Sequence, residues 1–147
     1  MTITDALRGE HGVIYRLLDH CATNASSWEI DALKAAGGTL ESALRSHAKI
    51  EDELLFKTME PFLPEGAGPL VVMRAEHEEI EGNLERLHHA DDVEEARGIL
   101  VRLAAVAREH FSKEEGILFM LADEHLGEEK LVELGGRWSQ EREVEVG

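Results

Sequence analysis

The sequence predicts an all-α protein: four long helices in an up-down-up-down bundle, with a short extra helix at the C-terminal end. Three observations carry this. Apolar residues recur at spacings of three and four along most of the chain, the period of a helix. No stretch alternates β-branched and polar residues as a half-buried strand would. The breaks between periodic segments are short, which favours antiparallel neighbours. Residues 1–126 are expected to form the bundle, and 127–147 the extra helix and a tail.

The first helix is expected from about Thr4 to Thr23, with Thr2 or Thr4 as its N-cap. Ser26 or Ser27 then caps a second helix that runs to about Met59 and tolerates Gly37 and Gly38 at a propensity cost. PFLPEGAGP, residues 61–69, holds all three prolines and breaks the chain. A third helix follows from about Pro69 to His89. Asp91 or Asp92 opens a fourth, which ends between Asp123 and His125. Gly127 interrupts, EEKLVELGGRW reads as a short fifth helix, and SQEREVEVG as a frayed polar tail.

The 147 residues suit one domain with a sizeable core. No apolar run approaches the roughly 20 residues of a membrane helix, and the opening MTITDALRGEH lacks a basic and then apolar leader. Cys21 is the single cysteine, which excludes an internal disulfide and fits a reducing, cytoplasmic setting. It reads as a small core or surface residue. A net charge of −16 repels phosphate backbones and argues against nucleic acid as a partner. Neither a membrane nor a nucleic-acid partner is expected, and the oligomeric state is left open.

The halves of the chain resemble each other. RSHAKIEDELLF (45–56) aligns with REHFSKEEGILF (108–119), and LRGEHGVIYRLL (7–18) with MRAEHEEIEGNL (73–84). Two similar helical hairpins packed together would give an approximate two-fold axis, and a site on that axis would receive similar groups from each.

What those groups are follows from the stripe each helix would bury. The first carries Leu7, His11, Ile14 or Tyr15, and Leu18. The second carries Leu40, Leu44, His47, Glu51 and Leu54; the third, Leu70, Met73, His77, Glu81 and Leu84. The fourth carries Leu103, Ala107, His110, Glu114, Ile117 and Leu121. Each stripe thus holds a histidine, and three add a glutamate one turn later. A fourth His-x-x-x-Glu pair, His125 with Glu129, spans Gly127 and lies off any long stripe. At about 1.5 Å rise per residue, the four histidines fall roughly 10 to 20 Å from the same end of an antiparallel bundle. They can converge on one level.

Buried unpaired carboxylates are costly, and neighbouring ones repel. A metal relieves both. Imidazole and carboxylate without thiolate suit iron, manganese or zinc. Seven donors exceed one ion's usual need, so two ions sharing carboxylates is the natural count. Glu10, Glu76 and Glu115 adjoin these residues but are turned about 100° away, toward solvent. His20, His88, His89 and His125 are expected at the surface, and Phe56, Phe111, Phe119 and Met73 in the core. Trp28 and Trp138 are expected to close the bundle ends.

This pattern resembles the hemerythrin (HHE cation-binding) family: His11; His47 with Glu51; His77; His110 with Glu114, with an acidic residue before His11 and His77 and Leu-Phe after both pairs. The resemblance covers residues 4–125. It implies a four-helix bundle around two non-haem iron ions, bridged by Glu51 and Glu114 and by an oxo or hydroxo group, with the four histidines as terminal ligands. It also implies a small diatomic or peroxide ligand: oxygen, peroxide or nitric oxide. The oxygen carriers have a second histidine one turn after the helix-three histidine. Here that position is Glu81, a harder anionic donor that moves the expectation from reversible oxygen carriage toward redox chemistry, catalase-like or ferroxidase, or toward iron handling. Tyr15 stands at the equivalent place in the other half, as a core tyrosine with a satisfied hydroxyl, a candidate ligand, or a hydrogen-bond donor to bound oxygen species. The competing classes are an iron sensor or scavenger without catalysis, and an acidic helical interaction module.

Overall fold

The computed structural model describes residues 1–146 and shows an all-helical chain, with no strand among the described residues. Gly147, the last residue of the expected tail, lies outside them. Helix α1 is Ile3–Asn24, α2 Ile30–Ile50, α3 Lys57–Met59, α4 Pro69–His89, α5 Val93–Lys113, α6 Phe119–His125 and α7 Gly127–Glu141. Two π-helical stretches, π1 Glu51–Phe56 and π2 Glu114–Leu118, join α2 to α3 and α5 to α6, so each pair is one continuous rod.

The helix starts follow local chemistry. Thr2 caps α1: its hydroxyl accepts from Asp5 N while Asp5 accepts from Thr2 N, at 3.1 and 3.2 Å, a reciprocal capping box. Asp92 caps α5 by accepting from Glu95 N at 2.8 Å. Pro69 opens α4 after Gly68, whose positive φ of 94° only glycine adopts freely. The expected serine cap of α2 is not found. Ser27 sits in a 3-10 turn, Ala25–Ser27, and its hydroxyl donates to Asn24 O at 2.9 Å. It serves the end of α1, and α2 begins three residues later behind Glu29, which offers no side-chain cap.

Contacts between rods run in opposite directions. Thr4 meets Asp123, His11 meets Glu115 and Asp19 meets Arg108, so α1 and the α5–α6 rod are antiparallel. Arg45 meets Glu81 and His77 faces Glu51, so α2–α3 and α4 are antiparallel too. Helix α7 turns back at Gly127, where φ is +71°, and lies on α1 with Leu131 and Leu134 buried. Gly135 permits the contact: a Cβ there would stand 2.4 Å from Met1 O.

The apolar core is in two parts. One gathers Leu18, Leu40, Leu44, Ile80, Leu84, Leu103 and Phe111; the other gathers Ile3, Leu7, Leu55, Phe56, Met73, Phe119 and Leu134. Between them lie buried polar side chains, foremost His11, His47, Glu51, His110 and Glu114. One part of the expected stripe is displaced. Ile117 is 47 % exposed and Leu121 half-buried, whereas Leu118, Phe119 and Ala122 are buried. The cause is π2, whose wider turn inserts a residue and rotates the buried face just after Glu114.

Candidate metal centre

The interior places four imidazoles and two carboxylates at one level. Their ligand atoms form two groups, each within 4.8 Å: His11, His47, Glu51 and Glu114, and Glu51, His77, His110 and Glu114. Glu51 and Glu114 are common to both. His110 Nε2 lies 2.7 Å from Glu114 Oε1, His11 Nε2 3.2 Å from Glu114 Oε2, and His77 Nε2 3.6 Å from Glu51 Oε2. Both π stretches begin at these shared glutamates, so the wider turns fall where the carboxylates enter the core.

Ring orientation is set from outside. His47 Nδ1 donates to Glu10 Oε2 at 2.6 Å, His11 Nδ1 to Glu115 Oε1 at 2.7 Å, and His110 Nδ1 to Glu76 Oε2 at 2.9 Å. A proton on Nδ1 leaves the Nε2 lone pair directed inward, the tautomer a metal ligand needs. Glu10, Glu76 and Glu115 were expected to face solvent. Each instead reaches across to a ring on a neighbouring rod, because a residue turned 100° from the core axis points into the seam between helices. The repeat held the signal: Glu10 and Glu76 occupy equivalent positions and bind equivalent histidines, His47 and His110.

The aromatic walls repeat as well. Phe119 stacks on His11 with centroids 5.4 Å apart, and Phe56 on His77 at 5.6 Å. Phe111 adds a second face to His11 at 4.1 Å. Ala48 is its counterpart by the repeat, and the space beside Ala48 is open. A pocket of about 560 Å³ between α2 and α4 is lined by Ala48, Leu44, His47, His77, His110 and Phe111, with Arg45 and Glu81 among its charged residues.

Glu81 is not brought into the cluster. Its side chain is 56 % exposed and accepts from Arg45 Nε at 3.1 Å, a partner close enough to hold it outward. Tyr15 is half-buried beside the centre, edge-on to Phe111 and His11, with Arg108 over its face. Burial and the Glu115 carboxylate raise its hydroxyl above the usual range, so it is held in the phenol form. Phe56, Phe111, Phe119 and Met73 are buried, and His20, His88, His89 and His125 are exposed.

Electrostatics mark the centre as an unbalanced site. Burial and the neighbouring Glu114 charge push the Glu51 carboxyl well above its usual range. Burial also pushes His77 down, but the close Glu114 and Glu51 carboxylates more than offset this and raise it to about 10. Burial likewise raises Glu10, and hydrogen bonds from His47, Arg142 and Trp138 outweigh it, leaving it at about 2. None of the four carboxylate oxygens of Glu51 and Glu114, nor His110 Nε2, makes a well-aligned hydrogen bond with a described residue. Orphaned buried acceptors of this kind are rare and costly. Cations shared between the two carboxylates would satisfy all of them, so the donors present fit a metal.

The fold and this cluster define a helical protein with a buried histidine–carboxylate centre for metal cations. The hemerythrin HHE cation-binding domain matches residues 2–131, and the chain belongs to that family. No curated protein and no solved structure matches it.

Proposed function

We propose that the centre holds two iron ions and that a small ligand, oxygen, peroxide or nitric oxide, reaches them. His11 and His47 would hold one ion, His77 and His110 the other, and Glu51 and Glu114 would be shared. The observation that carries this reading is the pair of buried carboxylates that make no well-aligned hydrogen bond and are common to both donor groups. Manganese or zinc suits the same donors. The opposed contacts between rods support an up-down-up-down bundle. The lone buried thiol of Cys21 supports a cytoplasmic protein, and the acidic surface supports partners other than nucleic acid. No described helix is long and apolar enough to cross a membrane.

When bound, such ions supply a redox couple and a place for a small ligand. The chain supplies the rest. Glu10, Glu76 and Glu115 hold the Nδ1 protons and so keep the Nε2 atoms directed inward. Phe111, Phe119 and Phe56 exclude water from the ring faces. The side by Ala48 stays open, and His77, 14 % exposed, is the most accessible of the four histidines. A ligand entering from this side meets His77 first, and the same pocket reaches His47 and His110.

The test is metal analysis of protein produced with iron, with its near-ultraviolet and visible spectrum and its oxygen evolution on mixing with peroxide. Two irons per chain with a spectrum that changes on ligand addition supports the proposal. Zinc alone, or iron without spectral change or turnover, overturns its redox part and leaves a sensor or scavenger. A chain holding no metal is an acidic interaction bundle.

A further inference from the structure

Helix α7 and the residues just after it reach the metal centre. Trp138 Nε1 donates to Glu10 Oε1 at 2.8 Å. Arg142 donates to both oxygens of the same carboxylate, Nε to Oε1 at 2.6 Å and Nη2 to Oε2 at 3.1 Å. Its Nη2 also donates to Ser46 O at 3.2 Å, and Nη1 to Ser46 Oγ. Ser46 adjoins His47, and Glu10 is the carboxylate that accepts the His47 Nδ1 proton. The chain of contact therefore runs from Trp138 and Arg142 through Glu10 to His47. Both residues lie beyond residue 131, outside the matched family domain. The tail begins as an ordered clasp, where the sequence suggested fraying and a tryptophan that only closes one end.

The other half has no such clasp. Among the described residues Glu76, which accepts from His110, is otherwise met by Lys113 alone, an ammonium on the same rod as His110 and 36 % exposed. A guanidinium fork plus an indole N–H holds both carboxylate oxygens, whereas one flexible ammonium holds a single oxygen.

We propose that Trp138 and Arg142 are positioning residues of the metal centre: they fix Glu10, which fixes the His47 ring, so that retention of the His11 and His47 ion depends on docking of α7. The proposal rests on the two-ion reading above. It makes the two ion positions unequal, and it gives the sequence beyond the family domain a defined task. Gly135 is part of the device, since only glycine lets α7 lie against the backbone of Met1–Ile3.

The experiment compares full-length wild type, Trp138→Phe, Arg142→Lys, the double variant Trp138→Phe/Arg142→Gln, and Lys113→Met. Ferrous iron or zinc is titrated against a chelator. The double variant should lose roughly 10–100-fold in affinity for one ion and keep the other. Arg142→Lys and Trp138→Phe should fall between it and wild type. Lys113→Met should spare the ion that the double variant loses. On metal-free protein, ¹⁵N-histidine NMR should show His47 protonated at Nδ1 in wild type, with the Nε2–H form appearing in the double variant. Equal weakening of both ions, or two-ion binding and a His47 tautomer both unchanged, overturns the proposal. If wild type binds no metal the two-ion reading fails, and the tautomer comparison alone decides the clasp.

Discussion

The two halves of the centre carry the same inner donors and differ in what surrounds them. Around His11 and His47, Phe111 and Tyr15 close the space, Arg108 lies over the tyrosine ring, and α7 clamps Glu10. Around His77 and His110, Ala48 stands for Phe111, Glu81 for Tyr15 and Arg45 for Arg108. Arg45 and Glu81 pair at the surface, and both line the pocket. A duplicated pattern thus supplies the inner donors, while departures from it decide how closely each side is packed. The outer carboxylates show the same drift. Glu115 accepts from His11, but its counterpart Asp52 is one methylene shorter and its Oδ1 is buried without a partner.

The largest effect belongs to what the halves share. Loss of an outer partner in such centres costs roughly 10–100-fold, so Glu114→Gln or Glu51→Gln should cost more than about 100-fold for both ions at once. Isothermal titration with iron or zinc reads this directly. Loss of only one ion would show that the carboxylates are not shared.

Metal removal comes next. At a free ion concentration of 100 Kd, one ion contributes about 2.7 kcal/mol. Chelation should then lower the melting temperature by roughly 5–10 °C per ion. Below that lies the pH response of the metal-free protein. His77 is raised from 6.5 to about 10, so its contribution to stability is fully present below about pH 6.5 and disappears as the pH rises through about 10. Melting in chelator from pH 6 to 10 should show the fall, and His77→Gln should flatten it. Metal affinity should rise over the same range as that proton becomes easier to displace.

How much of this the sequence disclosed follows from where the information lies. Helix period and the His-x-x-x-Glu spacing are local, and they led to the helices and to the six side chains that meet. The displaced stripe at Ile117 and Leu121 was hidden because a π turn leaves no motif. Its one trace is a run such as Leu54-Leu55-Phe56, three consecutive buried residues where an α-helix would expose at least one. Glu81 has the right spacing, and only the distant Arg45 takes it elsewhere. The roles of Glu10, Glu76 and Glu115 are hidden for the converse reason: their partners sit on other rods, and a single helical wheel cannot show them. Trp138 and Arg142 are 128 and 132 residues from Glu10, beyond any pattern in the chain.

The difference between sealed and open sides can be sharpened with Ala48→Phe, which restores in the second half the ring that Phe111 supplies in the first. It should fill part of the pocket of about 560 Å³ and slow chelator access and azide binding several-fold, with ion stoichiometry unchanged. Added bulk on this open side should cost at most about 1–3 kcal/mol. An unchanged rate would mean that ligands enter elsewhere.

The smallest effect should come from Tyr15→Phe. The ring makes the contacts with His11, Phe111 and Arg108, and phenylalanine keeps all of them, so stability should change by less than about 0.5 kcal/mol. The hydroxyl decides the rest. Its environment raises it, which disfavours the phenolate that a direct ligand would have to be. Iron affinity and any phenolate-to-iron absorption band should therefore be the same in Tyr15→Phe as in wild type. Disappearance of a visible band in the variant would instead place Tyr15 on the metal and make the sealed half the richer in donors. An altered ligand off-rate with an unchanged spectrum would assign the hydroxyl to the bound small molecule.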